Sequence, residues 1–587
     1  MQSVFRLFTK QRLPGWLSDW KRLLIAAVAL FLAGLTFATP VLLQGKRLLP
    51  ITALYVPPTR YVEAEEEKNL GHLGVFSKWS KVEFVLQGPQ TSATDEAENP
   101  FKIAIDVTFS GPDGESFVVP AFYDGDGSGG HSGNVWKVRF SADTIGTWNF
   151  SSASSDLLLA GYRGTFDVTA SQDCQPYERG GLPNLACSGR LRYEEGKQYL
   201  KFADGGYWVK GGIDDPENFI GSAFDSWQQA KDAVDFLSER GVNSIYFVTN
   251  NITPGDRNDT WPWLGDTARE AKRQSDRFDV VKLQEWESFF DYVQRKGIVL
   301  HFILDDDSAW NEYDHHLYYR ELVARFSHHP ALIWNIGEEA NENYWNSEQI
   351  RLAKLIRRLD PYGHPVTIHR KPRWPFLGEM AFDLTSIQPG DGAGEFAAML
   401  ESDLNRIVRE HLNSGIEAGR PIPVMIDETP RVRRVNEDTR FIMRSKILYP
   451  IYLAGGGFEL HFHDAYGQGG TLTIEQLAPM LQEMQYARRF LESVPFHEME
   501  SCNELLGDRD GNYCFGKTGE VYAIYTATGA ALEVDLSAMG AEVWLQWFDP
   551  ETGVFSEPES IGSGQQRRLN PPGGNEAAAV LSRIRPQ

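Results

Sequence analysis

Eight short apolar runs recur at near-regular intervals through the middle of the chain, and they limit its fold more than any other feature. They are YWVKGGID (from Tyr207), SIYFVTN (Ser244), IVLHFILDD (Ile298), ALIWNIGEE (Ala331), HPVTIHR (His364), DLTSIQPG (Asp383), PVMIDETP (Pro423) and GGFELHFH (Gly456). Each has the length of a strand, and most are followed by a helical stretch. After the second run, Leu283, Trp286, Phe290 and Val293 fall at i, i+3, i+7 and i+10, a single apolar face. Eight such units over about 290 residues predict a (β/α)8 barrel, whose usual size is roughly 250 residues. A doubly wound open sheet is the alternative. No G-x-G-x-x-G follows the first run, however, and GGFELHFH reads as a closing eighth strand.

At 587 residues the chain is too long for one domain. Runs such as VEFVL, KIAIDVTF, VWKVRF and GTFDV, punctuated by Gly, Asp, Asn and Pro, predict a β-sandwich over 73–170. A polar linker (45–72) precedes it, and a connection with a lead-in hairpin (171–206) joins it to a barrel spanning 207–497. EVYAIYTA, AALEVDL and AEVWLQWFD predict a second small β-sandwich over 498–587. The fold class is therefore α/β, a TIM barrel between two β domains.

The N-terminus differs in kind. Residues 23–44, LLIAAVALFLAGLTFATPVLLQ, carry no charge and approach the roughly 20 residues that a membrane-spanning helix needs. Arg6, Lys10, Arg12, Lys21 and Arg22 precede this segment, so residues 1–22 are predicted to be cytoplasmic and the remainder periplasmic or extracellular. A signal peptide cleaved after Ala38 is the rival, although a clean small-x-small site is missing. The four cysteines fall in two close pairs, Cys174 with Cys187 and Cys502 with Cys514. Two local disulfides suit an exported chain, and neither pair has zinc-site spacing.

In barrels of this kind the active site lies at the C-terminal ends of the strands. There the fourth run ends in Glu338 and Glu339, and the seventh contains Glu428. With Trp334 and Ile336 facing the helices, side-chain alternation turns Asn335, Gly337 and Glu339 toward the axis and Glu338 outward, unless the strand end is bulged. The same parity groups Val424, Ile426 and Glu428 on one face and Met425 with Asp427 on the other. Glu339 and Glu428 are thus the candidate catalytic pair. Two carboxyl groups at one mouth are what glycoside hydrolysis requires, one to protonate the leaving oxygen and one to attack or to activate water. Taken singly, each is equally a solvated strand-end acid.

A net charge of −23 repels phosphate backbones, which argues against nucleic acid and for a neutral ligand. Trp261, Trp263, Trp310, Tyr344, Trp345 and Trp374 follow strand ends, where aromatic faces suit sugar rings, although some of them are expected to pack loops onto the barrel. Asn250, Asn251, Asp306, Asn335, Glu338, His369, Gln388, His461 and His463 lie at strand ends and complete a candidate substrate-binding set with Trp310, Tyr344 and Trp345. Calcium at Asp305–Asp307 or a transition metal at His461–Asp464 is the alternative, but no further ligand set is evident, so no metal or cofactor is expected. His315, His316, His328 and His329 flank one helix and read as surface or capping residues.

WNIGEEAN and VMIDETP resemble the fourth- and seventh-strand signatures of retaining glycoside hydrolases with two glutamates on a (β/α)8 barrel. RYEEGKQYLKFADGGYWVKGG resembles the apiosidase-like branch. NPFKIAIDVTFSGPDG, FYDGDGSG and WKVRFSADTIGTWNFSS are similar to a β-sandwich of unknown function that often precedes such barrels. WFDPETG and LNPPGG resemble a small domain, named for collagen binding, that often follows them. The resemblance implies Glu339 as general acid/base, Glu428 as nucleophile, and a polysaccharide or oligosaccharide substrate. Two positions depart from the family pattern: Glu338 stands where Asn is common, and Gln388 where a supporting Tyr is common. A non-catalytic carbohydrate-binding or scaffolding protein on the same barrel is the competing function.

Overall fold

The computed structural model describes residues 60–586 except 96, 173, 217, 253–259, 307–311, 342–343, 390–402, 430–431, 463–471, 507–510, 541 and 563–565. The apolar segment at 23–44 lies outside the described residues, as do Trp310 and His463. Among the described residues no helix is long and apolar enough to cross a membrane.

Two sheets form the first domain. Strands Lys68–Ser77, Ile105–Ser110, Ser116–Pro120, Gly146–Ser154 and Tyr162–Thr169 make one, and Lys81–Ser92, Phe122–Tyr123 and Ser132–Ser141 make the other. Alternation drives their packing. Along Lys81–Ser92, Val82, Phe84 and Leu86 point inward while Glu83, Val85 and Gln87 face solvent. The core between the sheets is aromatic, with Phe109 stacked on Phe140 at 4.1 Å. Charged groups fasten this domain to the barrel: Lys81 Nζ lies 2.8 Å from Glu287 Oε1, and Arg325 Nη2 donates to Tyr123 O at 2.7 Å.

The central sheet is parallel and has eight positions, strands one to eight: Gly211–Ile213, Ser244–Val248, Val299–Ile303, Leu332–Asn335, 366–370, Ser386–Ile387, Val424–Ile426 and Gly456–Leu460. Strand five is interrupted at Ile368. Its first half, Val366–Thr367, pairs with strand four, and its second half, His369–Arg370, pairs with strand six. Strand one pairs with strand eight, so the ladder runs around the whole barrel through the broken strand. On the helix after strand two, Val280–Arg295, Leu283, Trp286, Phe290 and Val293 are all buried, as their spacing predicts. No helix is found between strands five and six among the described residues.

The barrel interior is layered. At the floor Val299, Ile333, Leu384 and Met425 pack against Leu191, Leu200 and Phe202 of the lead-in segment and against Trp208, just before strand one. Above them lies a fully buried ionic layer. Lys210 Nζ reaches Asp427 Oδ1 at 2.6 Å and Glu459 Oε1 at 3.1 Å, and Ser244 Oγ donates to Glu459 at 2.7 Å. Burial and the Lys210 charge hold His301 well below its usual pKa. The ring is therefore neutral, and its Nδ1 lies 3.1 Å from Glu459 while Nε2 lies 3.1 Å from Asn335 Nδ2. That geometry assigns the proton to Nδ1 and leaves Nε2 as the acceptor.

The C-terminal domain joins a six-stranded antiparallel sheet to a two-stranded one, Leu532–Asp535 with Gln566–Leu569. It rests on the barrel through Tyr525 stacked on Tyr449 at 4.2 Å, and through Arg444, which reaches Glu483 at 2.7 Å and Glu551 at 3.0 Å. Cys174–Cys187 and Cys502–Cys514 are disulfide-bonded, with Cα separations of 5.6 and 4.9 Å.

Candidate active site

The upper ends of strands four to eight and of strand one bring the titratable groups together. Glu428 follows strand seven. Its Oε1 accepts from Gln388 Nε2, at the end of strand six, at 2.6 Å and stands 3.7 Å from His461 Nδ1 beyond strand eight. Its Oε2 stands 3.9 Å from His369 Nε2. The other His369 nitrogen is 3.9 Å from Glu338 Oε1, so one imidazole lies between the two carboxyl groups. Donor atoms of Glu338, His369 and Glu428 all fall within 4.8 Å of one another.

Strict alternation fails at both strand ends. On strand seven the interior-facing residues are Met425 and Asp427, so continued parity would turn Glu428 outward. The strand stops at Ile426, and the chain leaves the ladder with Glu428 in the mouth. On strand four, Ile333 and Asn335 face inward, yet Glu338, assigned outward by parity, sits in the mouth. The next residue, Glu339, has φ of 33°, in the left-handed region. This turn breaks the two-residue period. Glu339 is less buried and is ion-paired with Lys371, while its charge is also among the causes that raise Glu428.

Asn335 explains how the site is held. Its Oδ1 accepts from His369 N at 3.1 Å and Gly337 N at 3.3 Å, while Nδ2 meets His301. The side chain predicted to bind substrate is thus used in joining strand four to the break in strand five. Gly337 O accepts from His369 N at 3.0 Å, which sets that ring beside Glu338.

Electrostatics follow burial. Desolvation, with smaller contributions from Asp214 and Glu339, pushes Glu428 up to about 7, while His461 and the Gln388 hydrogen bond act in the opposite direction. Burial, helped by the charges of Lys210 and Lys371, brings His369 down to about 3, so it is neutral at working pH. Asp305, at the end of strand three, is pushed up to about 7 by burial. Its Oδ1 accepts from Asn250 Nδ2 at 2.8 Å and from the Tyr313 hydroxyl.

Several predicted contacts are packing residues. Tyr344 is buried beside His315 and is hydrogen-bonded to Asp305, so it does not form part of an exposed rim. Trp261, Trp263 and Trp374 are buried too, and Trp345 is half-buried. Asp306 is buried with its N–H bonded to Asn250 O at 3.0 Å, and Asn251 pairs through its backbone with Thr260. His315, His328 and His329 are interior rather than surface residues. His315 stacks on Tyr313 at 4.3 Å, and the other two rings flank Glu287 at 3.1 and 3.3 Å.

Among the described residues four clusters have donor atoms close enough to hold a cation. In two of them a lysine already supplies the positive charge, Lys210 beside Asp427 and Glu459, and Lys81 beside Glu287 and Asp291. The others, Asp214–Asp215–His461 and Glu338–His369–Glu428, lie at the mouth. Asp214, Asp215, Lys371 and the ionic layer escaped the sequence reading. The signal was there, because Lys210, Gly212 and Asp214 share one parity, and a charge in a doubly buried strand must be paired.

Comparison with known proteins places the flanking domains and the fold. Residues 75–155 match the family model "Domain of unknown function (DUF5060)", and residues 504–581 match "Putative collagen-binding domain of a collagenase". No curated protein matches the chain. The structural neighbours are glycoside hydrolases. A "putative glycoside hydrolase" from Bacteroides vulgatus superposes with a TM-score of 0.65 at 17% identity, covering 87% of this chain and 99% of that one. A second glycoside hydrolase gives 0.57 at 17%, covering 70% and 98%. A glycoside hydrolase of family 5 from Bacteroides vulgatus gives 0.54 at 16%, covering 67% and 94%. At these identities the likeness is one of fold.

Proposed function

We propose that the protein is a membrane-anchored glycoside hydrolase of the apiosidase-like type, which cleaves O-glycosidic bonds of a polysaccharide or oligosaccharide with retention of configuration. The observation that carries this reading is the convergence of carboxyl groups from strands four and seven on one buried mouth, with Glu428 oriented by Gln388 at 2.6 Å. In the first step Glu428 attacks the anomeric carbon as the glycosidic C–O bond breaks, and Glu339 gives its proton to the leaving oxygen. In the second, water gives a proton to Glu339 and attacks the same carbon, which releases Glu428. A carboxyl group paired with an ammonium has no proton to give, so Lys371 must release Glu339 as substrate enters.

One observation favours a second assignment of the acid. Glu338, rather than Glu339, shares the compact cluster with Glu428, each standing 3.9 Å from a nitrogen of His369 with oxygens within 4.8 Å of one another, which is closer than the roughly 6.5 to 9.5 Å of an inverting pair. Hydrolysis of a polysaccharide panel by the full-length protein tests the function itself. Activity lost in the Glu339→Gln, Glu428→Gln double variant supports the enzyme. Undiminished binding to the same panel, with no turnover by wild type, supports a carbohydrate-binding scaffold. The anchor is tested by mass spectrometry of the membrane fraction, where a mature N-terminus near Thr39 would identify a cleaved signal peptide instead.

A further inference from the structure

Asp214 lies just beyond strand one, in the wall between strands one and eight. It is 5% exposed, and the sequence pattern gave it no role. One oxygen, Oδ2, stands 3.1 Å from His461 Nδ1. The other, Oδ1, is buried and meets no hydrogen-bonding group among the described residues. Its neighbour Asp215 is held differently, accepting from Phe462 N at 2.8 Å. The same His461 nitrogen is 3.7 Å from Glu428 Oε1, so Asp214 and Glu428 flank one imidazole atom. That nitrogen has a single proton or a single lone pair to share, and of these carboxyl groups Asp214 is the nearest, with Asp215 Oδ2 at 3.8 Å.

Buried polar atoms are normally satisfied, so an orphan at the mouth asks for a partner from outside the protein. Asp214 Oδ1 is not alone. Asn250 Oδ1, both polar side-chain atoms of Asn251, Asp305 Oδ2 and Gln388 Oε1 are also buried without a partner among the described residues. A polyhydroxylated ring, which both donates and accepts at every carbon, satisfies such a lining, whereas a small apolar ligand does not. Charge narrows the class further. Asp214, Asp215, Glu338, Glu339 and Glu428 gather at the mouth, and Lys371 is already paired with Glu339. A sugar carboxylate there would be buried among acids with the Lys371 charge already taken, and so would lose its hydration without a compensating cation.

We propose that Asp214 binds the sugar held at Glu428, pairing its open oxygen with a ring hydroxyl while His461 fixes the other oxygen, and that this subsite accepts neutral sugars and rejects uronic acids. The inference rests on reading Glu428 as the nucleophile. Burial, with Glu459 and Asp427 beneath, holds the Asp214 carboxyl well above the usual range.

The test uses the full-length protein with 4-nitrophenyl pentosides and hexosides, their monodeoxy analogues, and the matching 4-nitrophenyl uronides. Turnover is expected on a neutral glycoside and not on its uronide. Asp214→Ala should lower kcat/KM on the order of 10- to 100-fold, the range of a lost hydrogen bond to a substrate hydroxyl, while Asp214→Asn, which has the same shape and can still hydrogen-bond, should lose only about a tenth as much. On one monodeoxy glycoside the Ala variant and wild type should become equal, a coupling that a purely structural role would not give. Equal damage by Asn and Ala, absence of coupling on every deoxy substrate, preference for a uronide, or activity lost in EDTA and restored by calcium or manganese would each overturn the proposal. Calorimetry of neutral and uronate oligosaccharides on Glu428→Gln separates the two readings. Asp214-dependent binding without wild-type turnover keeps the subsite and removes the hydrolase, and turnover indifferent to Asp214 does the reverse.

Discussion

Lys210 Nζ lies 2.6 Å from Asp427 Oδ1 with neither side chain exposed, and the residue after Asp427 is the candidate nucleophile. The ammonium also reaches Glu459 at 3.1 Å, so one cation balances two carboxylates in the centre of the barrel. Burial raises both carboxyl groups, and Lys210 is the largest influence opposing it. Removing the cation leaves the carboxylates uncompensated, a loss of about 3–5 kcal/mol for a broken buried pair. In Lys210→Met both folded-state pKa values should rise further above their unfolded values. Stability is then retained at low pH, where the acids are protonated in both states, and falls as pH rises through the folded pKa. Urea unfolding of the variant should therefore show a larger deficit at pH 8 than at pH 5.5. An equal deficit at both would mean that the layer is held by packing rather than charge.

The pH dependence of turnover reads the environment of Glu428 directly. A free glutamate ionises near ~4.3, whereas burial pushes this one up to about 7. Because attack requires the ionised form, kcat/KM on a small glycoside should rise with pH through an acid limb near 7. The Gln388 amide favours the ionised form, so Gln388→Ala should move that limb upward. A wild-type limb below pH 5 would show that Glu428 is not the group whose ionisation limits the free enzyme.

Glu338 and Glu339 are separable by leaving group. The residue that donates the proton becomes dispensable when the leaving phenolate is acidic, so its Ala variant should keep activity on 2,4-dinitrophenyl glycosides and lose roughly 10²- to 10⁴-fold on alkyl glycosides. The other glutamate should show similar losses on both. If neither variant discriminates, the acid comes from elsewhere in the mouth.

The strands of the barrel were legible because a doubly buried strand writes a short apolar run between turns, and the helix face at Leu283, Trp286, Phe290 and Val293 was legible for the same reason. The orientations of Glu338 and Glu428 were not. Alternation holds only while the ladder holds, and both residues lie past its last paired residue, one of them beside the left-handed Glu339. Aromatic residues at strand ends were misread in part because an indole suits a loop core as well as a sugar: Trp263 is fully buried, and Tyr344 braces Asp305. Asn335 shows the opposite limit. Its position was right, but its polar atoms are used by His301, His369 and Gly337.

Stereochemistry gives the most direct test of the mechanism. If Glu428 forms a covalent glycosyl intermediate, two inversions at one carbon return the starting configuration, and NMR in the first minutes of reaction should show the product anomer matching the substrate. Glu428→Ala should lower turnover by at least about 10⁴-fold, since both the attack and the carboxylate charge beneath the oxocarbenium-like centre are lost. The cavity left by that side chain is bounded by Gln388, His461 and the neutral His369. Azide can enter there and attack from the same face, and because no enzyme carboxylate is left to attack a second time, the glycosyl azide should carry inverted configuration. Wild-type product of inverted configuration would exclude the double displacement even if both carboxylates proved essential, and would reassign Glu428 as the base that activates water.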